Sequence, residues 1–272
     1  MKAQNLIIYS DMDGTMLTDR DRGPYVPQRN LQAIKRFISE GGAFSVASGR
    51  EYSDILRYFP DIEFNAPLVC GNGSNLYDCQ ADKVFFADTL SKNYKTESAH
   101  YLLTHDNVWM VAADQYSIYQ IMTGDPGRDS SIVDYLIRKT KTVDEYINGD
   151  MVKTVYVAAD ASQMEALRKD IDKLPSAHEV VQMLSSPIYC EIVNKTVSKA
   201  EGIRRAMKYA GMTDRTLVCI GDYMNDYAMI KNADIPACPS NACEQIRQLC
   251  GIVTCDNNTG AVADLIDRLL AM

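Results

Sequence analysis

The amino-acid sequence predicts an α/β fold: a parallel sheet with helices on both faces, plus a second α/β unit inserted into the chain. Three observations predict it. Residues 6–9 (LIIY) and 217–220 (LVCI, after Thr216) are short, continuously apolar runs, and 43–47 (AFSVA) is mostly apolar, broken by Ser45. Such runs read as strands buried on both faces; a strand with one wet face would alternate. Amphipathic stretches separate these strands, as covering helices require. The texture changes between about residues 84 and 193 and then returns, so one unit interrupts another.

The elements follow in order. The run at 6–9 is a buried strand. Pro27 opens a helix with Leu31, Ile34, Phe37 and Ile38 on one face, and Gly41-Gly42 closes it. The strand at 43–47 ends at Ser48-Gly49-Arg50, and a helix follows to Leu56. Residues 67–70 form a third strand running into GNGSN. In the middle segment, strand-like runs at 84–87, 108–112, 117–122, 153–159 and 179–184 alternate with helical stretches near 91–105, 130–139 and 161–174. The helix at 200–210 carries Ile203, Met207 and Ala210 on one face and stops at Gly211. The strand at 216–220 runs into Gly221-Asp222, and Val262, Leu265, Ile266 and Leu269 mark a last amphipathic helix. The expected division is 1–82 for the first part of the core, 83–189 for the inserted α/β domain and 190–272 for the second part of the core.

The 272 residues are 46% hydrophobic and 24% charged, with a net charge of −8. An acidic chain of this kind lacks the Lys/Arg concentration that nucleic-acid binding needs. No apolar run is long enough to cross a bilayer, so no membrane partner is expected. The first apolar run reaches Asp11 too soon for a signal peptide, and a cytoplasmic protein is expected. None of the eight cysteines forms a CxxC pair. Cys190 and Cys219 lie in strand-like runs. The late four, Cys238, Cys243, Cys250 and Cys255, lack the paired spacing of a zinc site. Reduced structural thiols are the expectation.

Three strands end in polar groups. Asp11 and Asp13 follow the first, Ser48 the second, and Asp222 the run at 216–220. Ligands of doubly wound sheets bind at the carboxyl ends of strands, so these groups converge on one site. A phosphate monoester is dianionic and repels a carboxylate nucleophile, so positive charge has to be supplied. Magnesium, a hard ion with oxygen ligands, supplies it, and Asp11 and Asp222 are its natural side-chain ligands. Lys199, at a helix start in TVSKAEG, is a candidate phosphate clamp; alone it would read as an exposed helix lysine. The Ser48 hydroxyl and the Gly49 N–H suit phosphate at a strand-to-helix junction. Asp11 is then the nucleophile. Asp13 protonates the leaving oxygen and later deprotonates the attacking water.

The stretches DMDGT, SVASGR, VSKAEG and GDYMNDYAMI occur in that order. Together they resemble the four motifs of the haloacid-dehalogenase-like phosphatases. Their spacing is similar to that of the Cof-type, or type IIB, branch, whose cap is inserted between the second and third motifs. The later PSNACEQI and NNTGAVADL also resemble that branch. The resemblance implies a Rossmann-like core, an α/β cap that sets specificity, and a magnesium-dependent phosphatase of small phosphorylated metabolites, sugar phosphates first. It implies an aspartyl-phosphate on Asp11, with Asp13 as general acid/base. Ser48, Lys199 and Asn225 match phosphate-binding positions, and backbone groups of Met12 and Gly49 match phosphate or metal contacts. Asp222 matches the acidic metal ligand, beside Asp11 and the backbone of Asp13. Asp226 supports Lys199 or the metal shell. Ser48 stands where threonine is common, and both carry the needed hydroxyl.

A monomer or weak homodimer is expected. Tyr116, Tyr119 and Arg128 are candidates to face a sugar. His100, His105 and His178 show no ligand spacing, and Asn72 reads equally as a turn residue or a site residue. Two rival functions use a similar site: a phosphomutase, which returns the phosphoryl group to its sugar, and a non-catalytic phospho-acceptor. Net phosphate release from varied monoesters would argue against the first. The presence of Asp13, which a receiver does not need, argues against the second.

Overall fold

The structure is a computed structural model, and it describes residues 1–18, 23–130 and 139–272. The helix expected near 130–139 falls on residues 131–138, outside the described residues. In chain order the strands are β1 (Leu6–Ser10), β2 (Ala43–Val46), β3 (Leu68–Cys70), β4 (Asn75–Asp78), β5 (Lys83–Ala87), β6 (Val108–Ala113), β7 (Ile118–Met122), β8 (Thr140–Thr142), β9 (Lys153–Ala158), β10 (Val180–Ser186), β11 (Tyr189–Asn194), β12 (Thr216–Ile220), β13 (Ile235–Pro239) and β14 (Ile252–Thr254). The α-helices are α1 (Gln28–Ser39), α2 (Tyr52–Arg57), α3 (Lys92–Thr104), α4 (Pro126–Asp129), α5 (Val143–Asn148), α6 (Ala161–Ile171), α7 (Lys199–Tyr209), α8 (Tyr227–Lys231), α9 (Glu244–Arg247) and α10 (Ala261–Ala271). The chain divides into two compact units: Met1–Phe86 with Ser198–Met272, and Ala87–Val197.

The first unit is built on a five-stranded parallel sheet, ordered β14-β13-β12-β1-β2. The apolar run of β1 is explained by its two covered faces. Leu6 and Ile8 join a layer with Phe37 of α1 and Leu265, Ile266 and Leu269 of α10. Ile7 and Tyr9 point the other way, into a layer with Ile203 and Ala206 of α7 and Met229 and Ile230 of α8. Burial of one such large apolar side chain contributes about 1.5–3 kcal/mol. The buried Tyr9 hydroxyl donates to the Pro67 carbonyl at 3.1 Å, so its polar end is satisfied. From β1 the chain moves to β2 on one side and resumes at β12 on the other. That is a topological switch point, and it sets the carboxyl ends of β1 and β12 side by side.

One expectation is corrected here. The division falls at 86/87 and 197/198 rather than at 82/83 and 189/190. The reason is pairing: β5 joins β3 and β4 in a three-stranded sheet, while β11 pairs with β9 and β10 in the sheet of the second unit. The strand expected at 67–70 forms as β3, in the three-stranded sheet. β3 pairs antiparallel with β4 and meets the end of β2 through a single parallel bridge, Ala47 to Val69.

The second unit holds a six-stranded sheet, ordered β10-β11-β9-β6-β7-β8. Tyr94, Leu102, Tyr146, Met164 and Leu167 from α3, α5 and α6 cluster with Met110, Tyr156 and Ile192 of the sheet. Arg128, a sugar-facing candidate from sequence, has a structural task instead. Its Nη2 donates to the carbonyls of Leu102, His105 and Val108, closing the C-terminal end of α3. No helix of the described residues is long and apolar enough to cross a membrane.

Candidate active site

The site is assembled from loops at the carboxyl ends of β1, β2 and β12. Asp11 directly follows β1, and its backbone N–H donates to the Ile220 carbonyl at 2.9 Å, binding the two strand ends together. Beyond it the chain turns tightly: the Met12 carbonyl accepts from the N–H groups of Thr15, Met16 and Leu17. Gly14 makes the turn possible. Its φ is +78°, and a Cβ there would stand 2.4 Å from Asp222 Oδ2. Gly14→Ala is therefore expected to combine about 1–2 kcal/mol of backbone strain with displacement of Asp222. Turnover should fall by about 10²-fold, a loss typical of a misplaced site group. Steady-state kinetics beside a thermal melt checks this.

Two asparagines of the late chain pin the same loop. Asn241 Nδ2 donates to the Gly14 carbonyl at 2.7 Å, and Asn257 Nδ2 to the Leu17 carbonyl at 2.8 Å. They belong to the PSNACEQI and NNTGAVADL stretches, which thus have a loop-anchoring role.

Lys199 opens α7 and is fully buried, which answers the reading of it as an exposed helix lysine. Its Nζ donates to Asp11 Oδ1 at 2.5 Å and to Asp226 Oδ1 at 2.6 Å. Burial opposes the ammonium charge, but the two carboxylates outweigh it and hold the Lys199 pKa above its ordinary value. Asp226 is also fully buried. Its Oδ2 accepts from the N–H groups of Asp222 and Tyr223, so it braces both Lys199 and the Asp222 loop. Gly221 lets it approach, since a Cβ there would lie 2.6 Å from the Asp226 carboxylate. Asp222 Oδ1 accepts from Thr15 Oγ1 at 2.9 Å.

Asp11, Asp222 and Asp226 bring one carboxylate oxygen each within 4.8 Å of one another; they are the group among the described residues that could hold a metal ion. Three carboxylates face a single ammonium. The excess negative charge shows in the acidities: burial and then repulsion from Asp226 raise Asp11 well above the usual carboxylate range, and the same causes raise Asp222 to about 6. Hydrogen bonds among the described residues engage Asp11 Oδ1, Asp222 Oδ1 and both Asp226 oxygens, and none is given to the Oδ2 atoms of Asp11 and Asp222, which could therefore take a cation. Hard oxygen donors with surplus negative charge fit magnesium.

The remaining predicted residues are placed as follows. Ser48 is buried after β2; its Oγ accepts from the Arg50 N–H at 3.2 Å. Gly49 lies beside Asn72, whose Nδ2 would be 3.1 Å from a Cβ at Gly49. Asn72 takes the left-handed backbone, with φ of 59°, and its buried Oδ1 has no hydrogen-bond partner among the described residues. Asn225 is exposed on the turn Met224–Asp226. The Asp13 carboxylate stands apart from the acidic cluster, exposed and paired with Arg50. Sequence reasoning gave no role to Thr15 or Arg50, although both lie inside the quoted motifs DMDGT and SVASGR. The eight cysteines are free thiols.

Comparison with known proteins agrees with this arrangement. A family model described as haloacid dehalogenase-like hydrolase matches residues 8–266. The chain is 25% identical over 269 residues to the 5-amino-6-(5-phospho-D-ribitylamino)uracil phosphatase YbjI of Escherichia coli (strain K12), covering 97% of this chain and 96% of the relative. It is 23% identical over 273 residues to the pyridoxal phosphate phosphatase YbhA of the same strain, covering 96% and 97%. The crystal structure of a haloacid dehalogenase-like hydrolase from Bacteroides thetaiotaomicron has the same fold, with a TM-score of 0.80 at 22% identity over 97% of this chain and 99% of the other. With strand-end carboxylates, inserted unit and family match in agreement, the chain belongs to the haloacid dehalogenase-like hydrolases, in their Cof-type branch, and is a phosphoric monoester hydrolase.

Proposed function

We propose that this enzyme is a magnesium-dependent phosphatase of small phosphorylated metabolites, sugar or sugar-like phosphates first, working through an aspartyl-phosphate on Asp11. The observation that carries the reading is the acidic cluster at the switch point, where Asp11, Asp222 and Asp226 surround one buried lysine. Relatives named for a phosphoribityl compound and for pyridoxal phosphate support the substrate class.

In this reading Asp11 and Asp222, with the backbone carbonyl of Asp13, would hold magnesium, which supplies positive charge against the phosphoryl oxygens. Lys199 fixes the Asp11 carboxylate for in-line attack and adds its own charge to the phosphate site. Ser48, the Gly49 N–H, backbone groups of Met12 and the exposed Asn225 bind the remaining phosphate oxygens. Asp13 gives its proton to the leaving oxygen as the P–O bond breaks, then takes one from the water that releases phosphate from Asp11. The activity belongs in the cytoplasm, in a monomer or weak homodimer.

The test is phosphate release from a panel of phosphate esters, with magnesium and with excess chelator. Activity should vanish with chelator and return with magnesium. A melt without substrate gives a second readout: magnesium at about 100 times its dissociation constant should stabilise the fold by about 2.7 kcal/mol. That gain should disappear in Asp222→Asn. Full turnover after rigorous metal removal contradicts the reading.

A further inference from the structure

We propose that Arg50 is the positioning residue of the acid/base carboxylate, holding Asp13 in the orientation from which it serves the leaving oxygen. The inference rests on the role of Asp13 given above. Arg50 Nε donates to Asp13 Oδ2 at 2.8 Å and Nη2 to Asp13 Oδ1 at 2.6 Å, a two-point fork that fixes the carboxylate plane. These are the hydrogen bonds of the Asp13 carboxylate among the described residues, and the side chain is 59% exposed. Without them an aspartate on a loop would sample several rotamers, of which one suits proton transfer.

Arg50 is itself anchored. Nη1 donates to Asp54 Oδ2 at 2.5 Å, and the guanidinium carbon lies 5.2 Å from the centre of the Tyr58 ring. Its backbone joins the phosphate loop: the N–H donates to Ser48 Oγ at 3.2 Å, and the carbonyl accepts from Gly71 at 3.0 Å. The anchor therefore ties the orientation of Asp13 to the residue proposed to bind phosphate. Two other roles fit less well. An ion pair this exposed contributes little to stability, about 0–1 kcal/mol. As a phosphate ligand Arg50 is largely engaged already: Nε, Nη1 and Nη2 each donate to a carboxylate here, and Nη1 also to the Tyr58 hydroxyl at 3.4 Å. When Asp13 carries its proton, one oxygen still accepts from the fork and the other presents the O–H. As that proton passes to the leaving oxygen, the bonding pair of the P–O bond goes with the oxygen and Asp13 regains both contacts.

The experiment compares wild type, Arg50→Gln, Arg50→Lys, Asp13→Asn and the double variant Asp13→Asn/Arg50→Gln. The substrates are phosphate esters whose leaving groups run from p-nitrophenol to simple alcohols. Arg50→Gln should lower kcat on alkyl esters by about 10²-fold and leave KM little changed. On p-nitrophenyl phosphate, whose leaving group needs no proton, the pre-steady-state release of p-nitrophenol should slow several-fold at most, while steady-state turnover falls with the water step that Asp13 also serves. Arg50→Lys should recover part of the loss through a one-point contact. In the Asp13→Asn background, Arg50→Gln should add almost nothing. The proposal is overturned by an equal loss in the rate of leaving-group release on all esters, by a rise in KM with kcat kept, or by additive losses in the double variant. If the rate of leaving-group release by Asp13→Asn itself shows no dependence on the leaving group, it is the role of Asp13 that fails.

Discussion

Asp11→Asn is expected to abolish turnover, with kcat falling by about 10⁴-fold or more, as when a nucleophile is removed. An amide cannot attack phosphorus and is a poor ligand for a hard cation. The fold should not suffer. Burial and then the neighbouring Asp226 raise the pKa of Asp11, so its ionised form is held at a cost. Removing that charge leaves Lys199 paired with Asp226 at 2.6 Å. The urea midpoint of the variant should equal or exceed that of the wild type in metal-free buffer. A large loss of both activity and stability would mean that Asp11 is a structural partner of Lys199 first.

Lys199→Met should do the opposite, damaging fold and chemistry together. Lys199 is the buried cation among three carboxylates, and its side chain is inaccessible to solvent. Breaking a buried pair by removing one member costs about 3–5 kcal/mol, because the abandoned charges stay in low dielectric. The urea midpoint should fall accordingly, and kcat with it. The sign can be tested inside the same cluster. Adding Asp226→Asn to Lys199→Met removes one abandoned charge, so the double variant should regain part of the lost stability. It should regain no activity. If Lys199→Met melts like the wild type, the buried ion-pair account of α7 is wrong.

Much of this was legible in the chain because strand burial and strand-end chemistry are both local. The runs at 6–9 and 217–220 contain no polar break because β1 and β12 are covered on both faces. Asp11 and Asp222 each stand one residue beyond those runs, after Ser10 and Gly221, so the parallel sheet alone brings them together. Arg50 was visible only as a letter in a motif. Its pairing with Asp13 joins two loops 37 positions apart, and no local pattern encodes such a contact. Asp226 was readable as a supporter, but not as the residue that braces Lys199 and the Asp222 backbone at once. The boundaries at 82/83 and 189/190 missed because neither β5 nor β11 carries a local signal of the sheet it joins. Long-range pairing assigns one to the sheet of β3 and β4 and the other to that of β9. Arg128 was misread for a related reason: the carbonyls it serves lie 20 to 26 positions away.

The most direct test of the central claim is to trap the phosphoryl group and find its residue. Asp13→Asn should slow the water step as well as the first proton transfer, by about 10²–10⁴-fold. With p-nitrophenyl phosphate and magnesium it should therefore accumulate phosphoenzyme in a burst. Acid quenching and borohydride reduction convert an aspartyl-phosphate into homoserine, which sequencing of the tryptic peptide spanning residues 3–20 locates by mass. The account predicts homoserine at position 11. Homoserine at any other position, or turnover with no phosphoenzyme at any time, would contradict it.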